Sequence, residues 1–301
     1  MRDLVLRGRF VKLCDLLRPA MRVCPRQSIT ALGYLGAGWG NDPEWKSVWP
    51  RYRSYFDRQL QCIVTADLAD WSGRSCYYWG RFFDVTHQAV LRKFLAPGDT
   101  YIDIGANVGY QSLYAARLVG PTGSVLSFEP NPESYSVLAG HVAINRIAHC
   151  QTFQLALSDR GGEATLTQID GHTGTANLRP EHRPALRSLT VPVRTGDEVL
   201  RSIAFRGKAF VKIDVEGFEQ RVLAGLRDTL PSVTAVAVEI TPSWLRQVGG
   251  SAEQLYAYMS QAGFRSFIPK LRWRMGLFGA QLELSESRGT IPEQHDAIFV
   301  R

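Results

Sequence analysis

The sequence predicts an α/β fold: a Rossmann-like, seven-stranded, mostly parallel sheet with helices on both faces. Three observations carry this. The stretch 100–118 reads as strand, glycine turn and helix: Tyr101, Ile102 and Ile104 suit a buried strand, Gly105 and Gly109 break it, and 110–118 holds good helix formers without Gly or Pro. Strand-like runs then alternate with helical segments to the end of the chain, the pattern of a parallel sheet. Finally, several of these runs end in an acid: Asp103, Glu129, Asp214 and Glu239. In open α/β sheets, ligands bind beyond the carboxyl ends of the strands.

Taken in order, residues 1–58 form a basic N-terminal extension, with a helix over 1–20 ending near Pro19 and then a Gly- and Trp-rich loop. Residues 59–80 read as a β-hairpin, with strands at 59–65 and 75–79 around an Asp70-Trp-Ser-Gly73 turn. The core domain follows over 81–301. A helix from Asp84 to about Leu95 precedes the first strand. The second strand, 124–129, leads into a helix capped by Asn131 with Pro132 at its first position. The third strand is expected at 152–157 and an extra hairpin strand at 163–167. A polar stretch, 168–188, has the length of a functional lid. Residues 189–193 are extended. Strands at 209–214 and 233–240 flank a helix from Phe218 to Leu230. Ser251-Ala-Glu-Gln254 is a capping box opening a helix. The last two strands are 264–268 and 297–300, with a long connection over 271–294.

The first βα unit is of nucleotide-binding type. Glu129 lies 20 residues past Gly109, near the spacing of about 20 for an acid that holds ribose hydroxyls. The turn is not that of a dinucleotide fold, however. Asn107 replaces the glycine that admits a pyrophosphate, and Asp103 sets negative charge where a phosphate would lie. This argues against NAD. A cationic or neutral ligand fits better, such as the sulfonium end of S-adenosylmethionine.

Four segments, Asp103-Ile-Gly-Ala-Asn-Val-Gly109, Phe128-Glu-Pro-Asn-Pro132, Ala156-Leu-Ser-Asp159 and Val211-Lys-Ile-Asp-Val-Glu-Gly-Phe-Glu219, resemble the FkbM-type O-methyltransferases in order and spacing. The resemblance covers roughly residues 80–240, and more loosely 60–300. It implies a class I methyltransferase fold, S-adenosylmethionine as donor, and a sugar, glycolipid or polyketide-like hydroxyl as acceptor. It also implies donor contacts: backbone at Gly105, Ala106 and Gly109 with Asp103 nearby, Asn107, the ribose acid Glu129, Pro130 and Asn131 beside the adenosine, and Ser158 and Asp159 near adenine. Two other readings remain open, a donor-binding protein without transferase activity and a nicotinamide oxidoreductase.

Methyl transfer to a hydroxyl needs a place for the acceptor's proton. Asp214, Glu216 and Glu239 are the candidates for a general base, with His172 on the lid as an alternative. No His or Cys cluster accompanies them, so a base is favoured over a metal site. Lys212 is read as neutralising these acids.

The bulk properties agree with a folded enzyme: 301 residues, 45% hydrophobic, and a net charge of +7 spread without a Lys/Arg run, so nucleic-acid binding is not expected. Five cysteines show neither metal spacing nor a disulfide framework. No apolar run reaches the ~18 residues of a spanning helix, and no secretion signal is read. The expected compartment is the cytoplasm, with peripheral membrane contact through residues 1–20 left open.

Overall fold

The computed structural model describes residues 2–23, 45, 48–80, 82, 84–168, 178, 187–273, 280–287 and 291–301. His172 and nearly all of the expected lid, 168–188, lie outside the described residues. The chain divides into two compact units, the first being essentially residues 1–84 and the second running from Val85 to Arg301.

In the first unit, helix α1 (Arg2–Val23) precedes a two-stranded antiparallel hairpin, β1 (Tyr52–Asp57) and β2 (Cys62–Asp67), and helix α2 (Trp71–Trp79) follows. Two expectations are corrected here. The helix does not stop near Pro19 but passes through it to Val23. An internal proline costs roughly 3 kcal/mol. The last turns are held by tertiary contacts, with Arg18 Nε donating to the Tyr77 carbonyl at 3.0 Å and Arg22 to that of Phe56 at 2.9 Å. The hairpin, expected over 59–80, is instead built from 52–67, and the expected returning strand 75–79 is helical. Asp70 caps α2 by accepting from Ser72 N, and Gly80 closes it at φ 62°. The aromatic residues of 77–79 have high strand propensity. Caps at both ends and burial of every residue from Gly73 to Trp79 outweigh it.

The second unit contains helix α3 (Val85–Phe94), then β3 (Thr100–Ile104), α4 (Tyr110–Val119), β4 (Ser124–Phe128), α5 (Pro132–Ile144) and β5 (Cys150–Phe153). A short β6 (Ala156–Leu157), β7 (Gly162–Gln168) and β8 (Arg187–Arg194) form a separate three-stranded sheet, order β6-β8-β7. Then come α6 (Gly196–Leu200), β9 (Ala209–Ile213), α7 (Glu219–Ala224), β10 (Val233–Ile240), α8 (Pro242–Gln247), α9 (Ala252–Gln261), β11 (Arg265–Trp273), β12 (Ala280–Glu286) and β13 (His295–Val300). The main sheet has eight strands in the order β12-β11-β13-β10-β9-β3-β4-β5. Strands β10, β9, β3, β4 and β5 run parallel, and β13, β11 and β12 pair antiparallel.

This is the expected seven-strand α/β sheet with an eighth strand at its edge. The extra strand lies in 271–294, read from sequence as a connection; Leu271, Leu282 and Leu284 alternate with polar residues and pair across β11 and β12. The third strand is shorter than expected. The chain leaves the main sheet after Phe153, and Ala156–Leu157 joins the small sheet beside β8. The extended segments around 163–167 and 189–193 are partners, paired in register from Gly162↔Val193 to Gln168↔Arg187. The helix expected over 218–230 closes after Ala224, and a 3-10 turn at Leu230–Ser232 leads into β10.

Alternation along the central strands builds the core. Ile102, Ile104, Val211, Ile213, Val236 and Val238 pack with Val222, Leu255 and Met259 from α7 and α9. On the other face, Tyr101 stacks on Phe210 at 6.0 Å and Phe94 of α3 meets Phe210 at 5.6 Å. A strand whose odd and even residues are both buried needs helices on both faces.

Candidate active site

The strand order reverses between β3 and β9, and the site is built there. Asp103 and Lys212 are register partners on these strands, so their side chains leave the sheet on the same face. Asp214 follows β9 directly, and its N–H donates to the Ile104 carbonyl at 3.0 Å. This closeness fixes Gly105. A Cβ there would stand 1.8 Å from the Asp214 carbonyl oxygen, and the residue has φ +80°. Gly109 is required for packing: at φ +88°, its Cβ would meet Leu138 Cδ1 of α5 at 2.4 Å.

The turn itself differs from the expected amide cradle. Gly105 N and Ala106 N both donate to the Phe128 carbonyl at 3.0 Å, and Gly109 N donates to Ala106 O at 2.9 Å. Asn107, at φ 49°, donates its N–H to Glu129 Oε2 at 2.8 Å. These four amides are committed within the protein. Asn107 Oδ1 is buried without a hydrogen-bond partner among the described residues. Asp103 lies on β3 just before the turn. It is fully buried, accepts from Ser112 Oγ at 2.6 Å, and faces Lys212 at 3.4 Å. With no exposed surface, it stands as a buried counter-charge to Lys212.

Glu129 stands just past β4. Its Oε1 accepts from Asn131 N and its Oε2 from Asn107 N, each at 2.8 Å. Burial pushes this carboxyl up to about 7, against the pull of those two amides. Each oxygen keeps a lone pair for a further donor. Pro130 is half-buried. Asn131 is buried and caps α5, accepting from Glu133 N at 3.0 Å. Ser158 and Asp159 hydrogen-bond to each other at 3.0 Å, but they follow β6 in the small sheet, not the end of the third main-sheet strand. Ser158 is buried against Gly225, whose Cβ would lie 2.0 Å from its carbonyl oxygen.

The other half of the edge carries Asp214, Glu216 and Glu239. Lys212 Nζ donates to Gly105 O at 3.0 Å and pairs with Asp214 Oδ2 at 3.1 Å. Glu216 sits in the following turn at φ 57°, unusual for a residue with a side chain. Glu239, near the end of β10, follows Val238, the register partner of Ile213, as Asp214 follows Ile213, and it accepts from Gln294 Nε2 at 2.8 Å. The Asp214 charge, and then burial, push the Glu239 carboxyl up to about 8. Glu219, at the start of α7, accepts from Gly217 N at 2.8 Å, and burial pushes it up to about 7. Sequence reading missed Glu219 and Gln294. Gln294 lies in a segment with no motif, and its only signal is adjacency to β13, which pairs Glu239 with Asp296. Among the described residues, no three His, Cys, Asp or Glu side chains gather as a metal site would require.

The residues present fit S-adenosylmethionine. Glu129 has acceptor capacity for two hydroxyls, Asn107 offers a buried, unsatisfied oxygen, and the surplus of acids suits a sulfonium. Sheet order, the glycine turn and this edge define a class I methyltransferase. The profile of the methyltransferase FkbM domain matches residues 103–266, and the chain belongs to that family. S-adenosylmethionine is its methyl donor. Among relatives, 31-O-demethyl-FK506 methyltransferase FkbM of Streptomyces tacrolimicus is 31% identical over 199 residues, 56% of this chain and 74% of the relative. Hexuronic acid methyltransferase AglP of Haloferax volcanii is 28% identical over 188 residues, 61% of this chain and 72% of the relative. A solved structure of methyltransferase FkbM from Methylobacillus flagellatus has 12% identity and a TM-score of 0.42, covering 77% of this chain and 53% of that one.

Proposed function

We propose that this methyltransferase acts on a hydroxyl of a sugar, glycolipid or polyketide-like acceptor, with Asp214 as the general base. The observation that carries this is the Asp214–Glu239 pair, on adjacent strand ends beside the donor edge. S-adenosylmethionine, when bound, supplies an electrophilic methyl group. The acceptor's O–H pair becomes the new O–C bond, the C–S pair returns to sulfur, and the proton passes to the Asp214 carboxylate. The sulfonium charge and the carboxylate charge are thus removed together. A positioned base contributes roughly 10²–10⁴-fold. Relatives named for FK506 and for hexuronic acid support the acceptor class. Glu129 holds the ribose hydroxyls, with Asn107 beside it and Pro130 along the adenosine; Glu216 orients the acceptor. Radiolabelled methyl transfer to uronic acid glycosides and to macrolide hydroxyls tests the reading. Label in an O-methyl ether supports it, and label found only in N- or C-methyl products overturns it.

Two finer points complete the proposal. The enzyme works in a reducing, cytoplasmic setting, a reading that rests on five cysteines in the sequence without metal spacing or a disulfide framework. Helix α1 rests on an anionic membrane surface. It holds six Lys/Arg against two Asp, and Leu13, Leu16 and Leu17 are 49%, 76% and 48% exposed on it. Sedimentation with phosphatidylglycerol vesicles, lost in Leu16→Glu, is the expected result; equal recovery with phosphatidylcholine vesicles removes the electrostatic part.

A further inference from the structure

One row of the central sheet is polar where its neighbours are apolar. Asp103 is in register with Ser127 of β4 and with Lys212 of β9, so the three side chains leave the sheet on one face. Two residues earlier on β3 and β9, Tyr101 and Phe210 stack in the core. Ser112 of α4 meets the polar row, and a buried chain results. Ser127 Oγ donates to Ser112 Oγ at 2.8 Å, and Ser112 Oγ donates to Asp103 Oδ2 at 2.6 Å. Asp103 Oδ1 makes no hydrogen bond among the described residues and faces Lys212 Nζ at 3.4 Å. Lys212 then reaches Asp214 Oδ2 at 3.1 Å and the Gly105 carbonyl at 3.0 Å. At the far end, Cys150 Sγ of β5 stands 3.8 Å from Ser127 Oγ. Ser112, Ser127 and Asp103 have no exposed surface.

We propose that Ser112 and Ser127 are positioning residues for methyl transfer: their hydroxyls hold Asp103 so that its free oxygen faces Lys212, and Lys212 in turn holds Asp214. The direction of the chain follows from the groups in it. A carboxylate only accepts, so Ser112 aims its proton at Asp103 and leaves its lone pairs to the Ser127 proton. A hydroxyl bonded to a carboxylate at 2.6 Å is a strong, short contact. It fixes the rotation of the Asp103 carboxyl, and with it the place of Oδ1. The ammonium faces three oxygens, on Asp103, Asp214 and Gly105, so a turn of the Asp103 carboxyl shifts its other two contacts. Alanine or valine would fill this layer without needing partners, so packing alone does not call for the two hydroxyls. The idea rests on the reading of Asp214 as base, and adds to it what holds that base in place from the opposite half of the sheet.

The test pairs ¹H–¹⁵N spectra of the lysine ammonium groups in the ligand-free protein with methyl transfer to a uronic acid glycoside. The Lys212 signal, identified by its loss in Lys212→Met, should be sheltered from exchange in the unsubstituted protein, because the residue is buried. It should shift in Ser112→Ala and, by less, in Ser127→Ala. It should return in Ser127→Thr, which restores a hydroxyl on a strand that suits a β-branched residue. In Ser112→Ala, kcat should fall by roughly 10- to 10²-fold, the cost of a misplaced group. Affinity for S-adenosylhomocysteine should stay within about threefold, since the loss belongs to kcat. Placed on Asp214→Asn, the same substitution should cost less than about twofold in kcat, because the group it positions is already gone. A residue that serves stability alone would lower the unfolding temperature and leave the kcat of folded protein unchanged. A Lys212 signal unmoved in Ser112→Ala overturns the proposal and needs no acceptor. So does a native kcat in Ser112→Ala, or an equal loss in both backgrounds. Normal turnover by Asp214→Asn is a separate failure: it removes the base reading, while the spectra still report whether the chain reaches Lys212.

Discussion

The two halves of the ligand edge use the same residue type in opposite ways. On the donor half, Glu129 is satisfied by groups that do not titrate in this range, two backbone amides. On the acceptor half, Asp214 is paired with the ionisable Lys212, and Glu239, held by the Gln294 amide, stands in the field of the Asp214 charge. A carboxylate held by amides has a fixed role as an acceptor of hydrogen bonds. A carboxylate held by a lysine and a second acid can take up and give back a proton. The same contrast shows in the causes: burial is the largest for Glu129, whereas the charge of a neighbour is the largest for Glu239.

Four substitutions or titrations break or sharpen this contrast. The largest effect is expected from Gly105→Ala, which damages both halves at once. The new methyl would lie 1.8 Å from the Asp214 carbonyl oxygen in a backbone conformation that disfavours a side chain. Calorimetry should find no binding of S-adenosylhomocysteine, and thermal unfolding should show a marked loss of stability. Native-like values for both would mean that β3 and β9 separate freely. Next is Asp214→Asn, confined to the acceptor half. Methyl transfer should slow by roughly 10²–10⁴-fold with donor affinity retained. Joint loss of binding and folding would instead give Asp214 a structural role.

Glu129→Ala confines the damage to the donor half. Charge-assisted hydrogen bonds are worth roughly 1.5–3 kcal/mol each, so affinity for S-adenosylhomocysteine should fall at least about tenfold. Unchanged affinity in a titration would remove Glu129 from the site. The smallest effect is on the pH dependence of stability. Glu129 and Glu219, raised to about 7, and Glu239, raised to about 8, bind protons more tightly folded than unfolded. The stability they contribute is therefore present at low pH and lost as pH rises through those values. The unfolding temperature of the donor-free protein should fall between about pH 5 and pH 8.5, and Glu129→Gln should flatten the first part of the fall. A rise over this range would contradict the burial of these groups.

Most of the sheet and its ligand edge could be read from sequence because they rest on local signals. Tyr101 to Ile104 followed by Gly105, Asn131 before Pro132, and Ser251 before Gln254 each state their own conformation through propensity or capping. An acid at the end of a buried strand has no local folding purpose, so Asp103, Glu129, Asp214 and Glu239 stood out without any coordinates. Tertiary structure decided what those acids do. The register of β3 with β9 sets Asp103 against Lys212 and makes it a counter-charge. The register of β10 with β13 brings the Gln294 segment to Glu239 across 55 residues of chain. The turn from β1 into β2, the passage of α1 through Pro19 and the helical state of 71–79 were decided in the same way. Propensity differs by only about 1 kcal/mol between states for most residues, and packing of neighbours distant in sequence readily exceeds that. A charge's partner, likewise, is set by distance in space, which residue spacing along a strand does not encode.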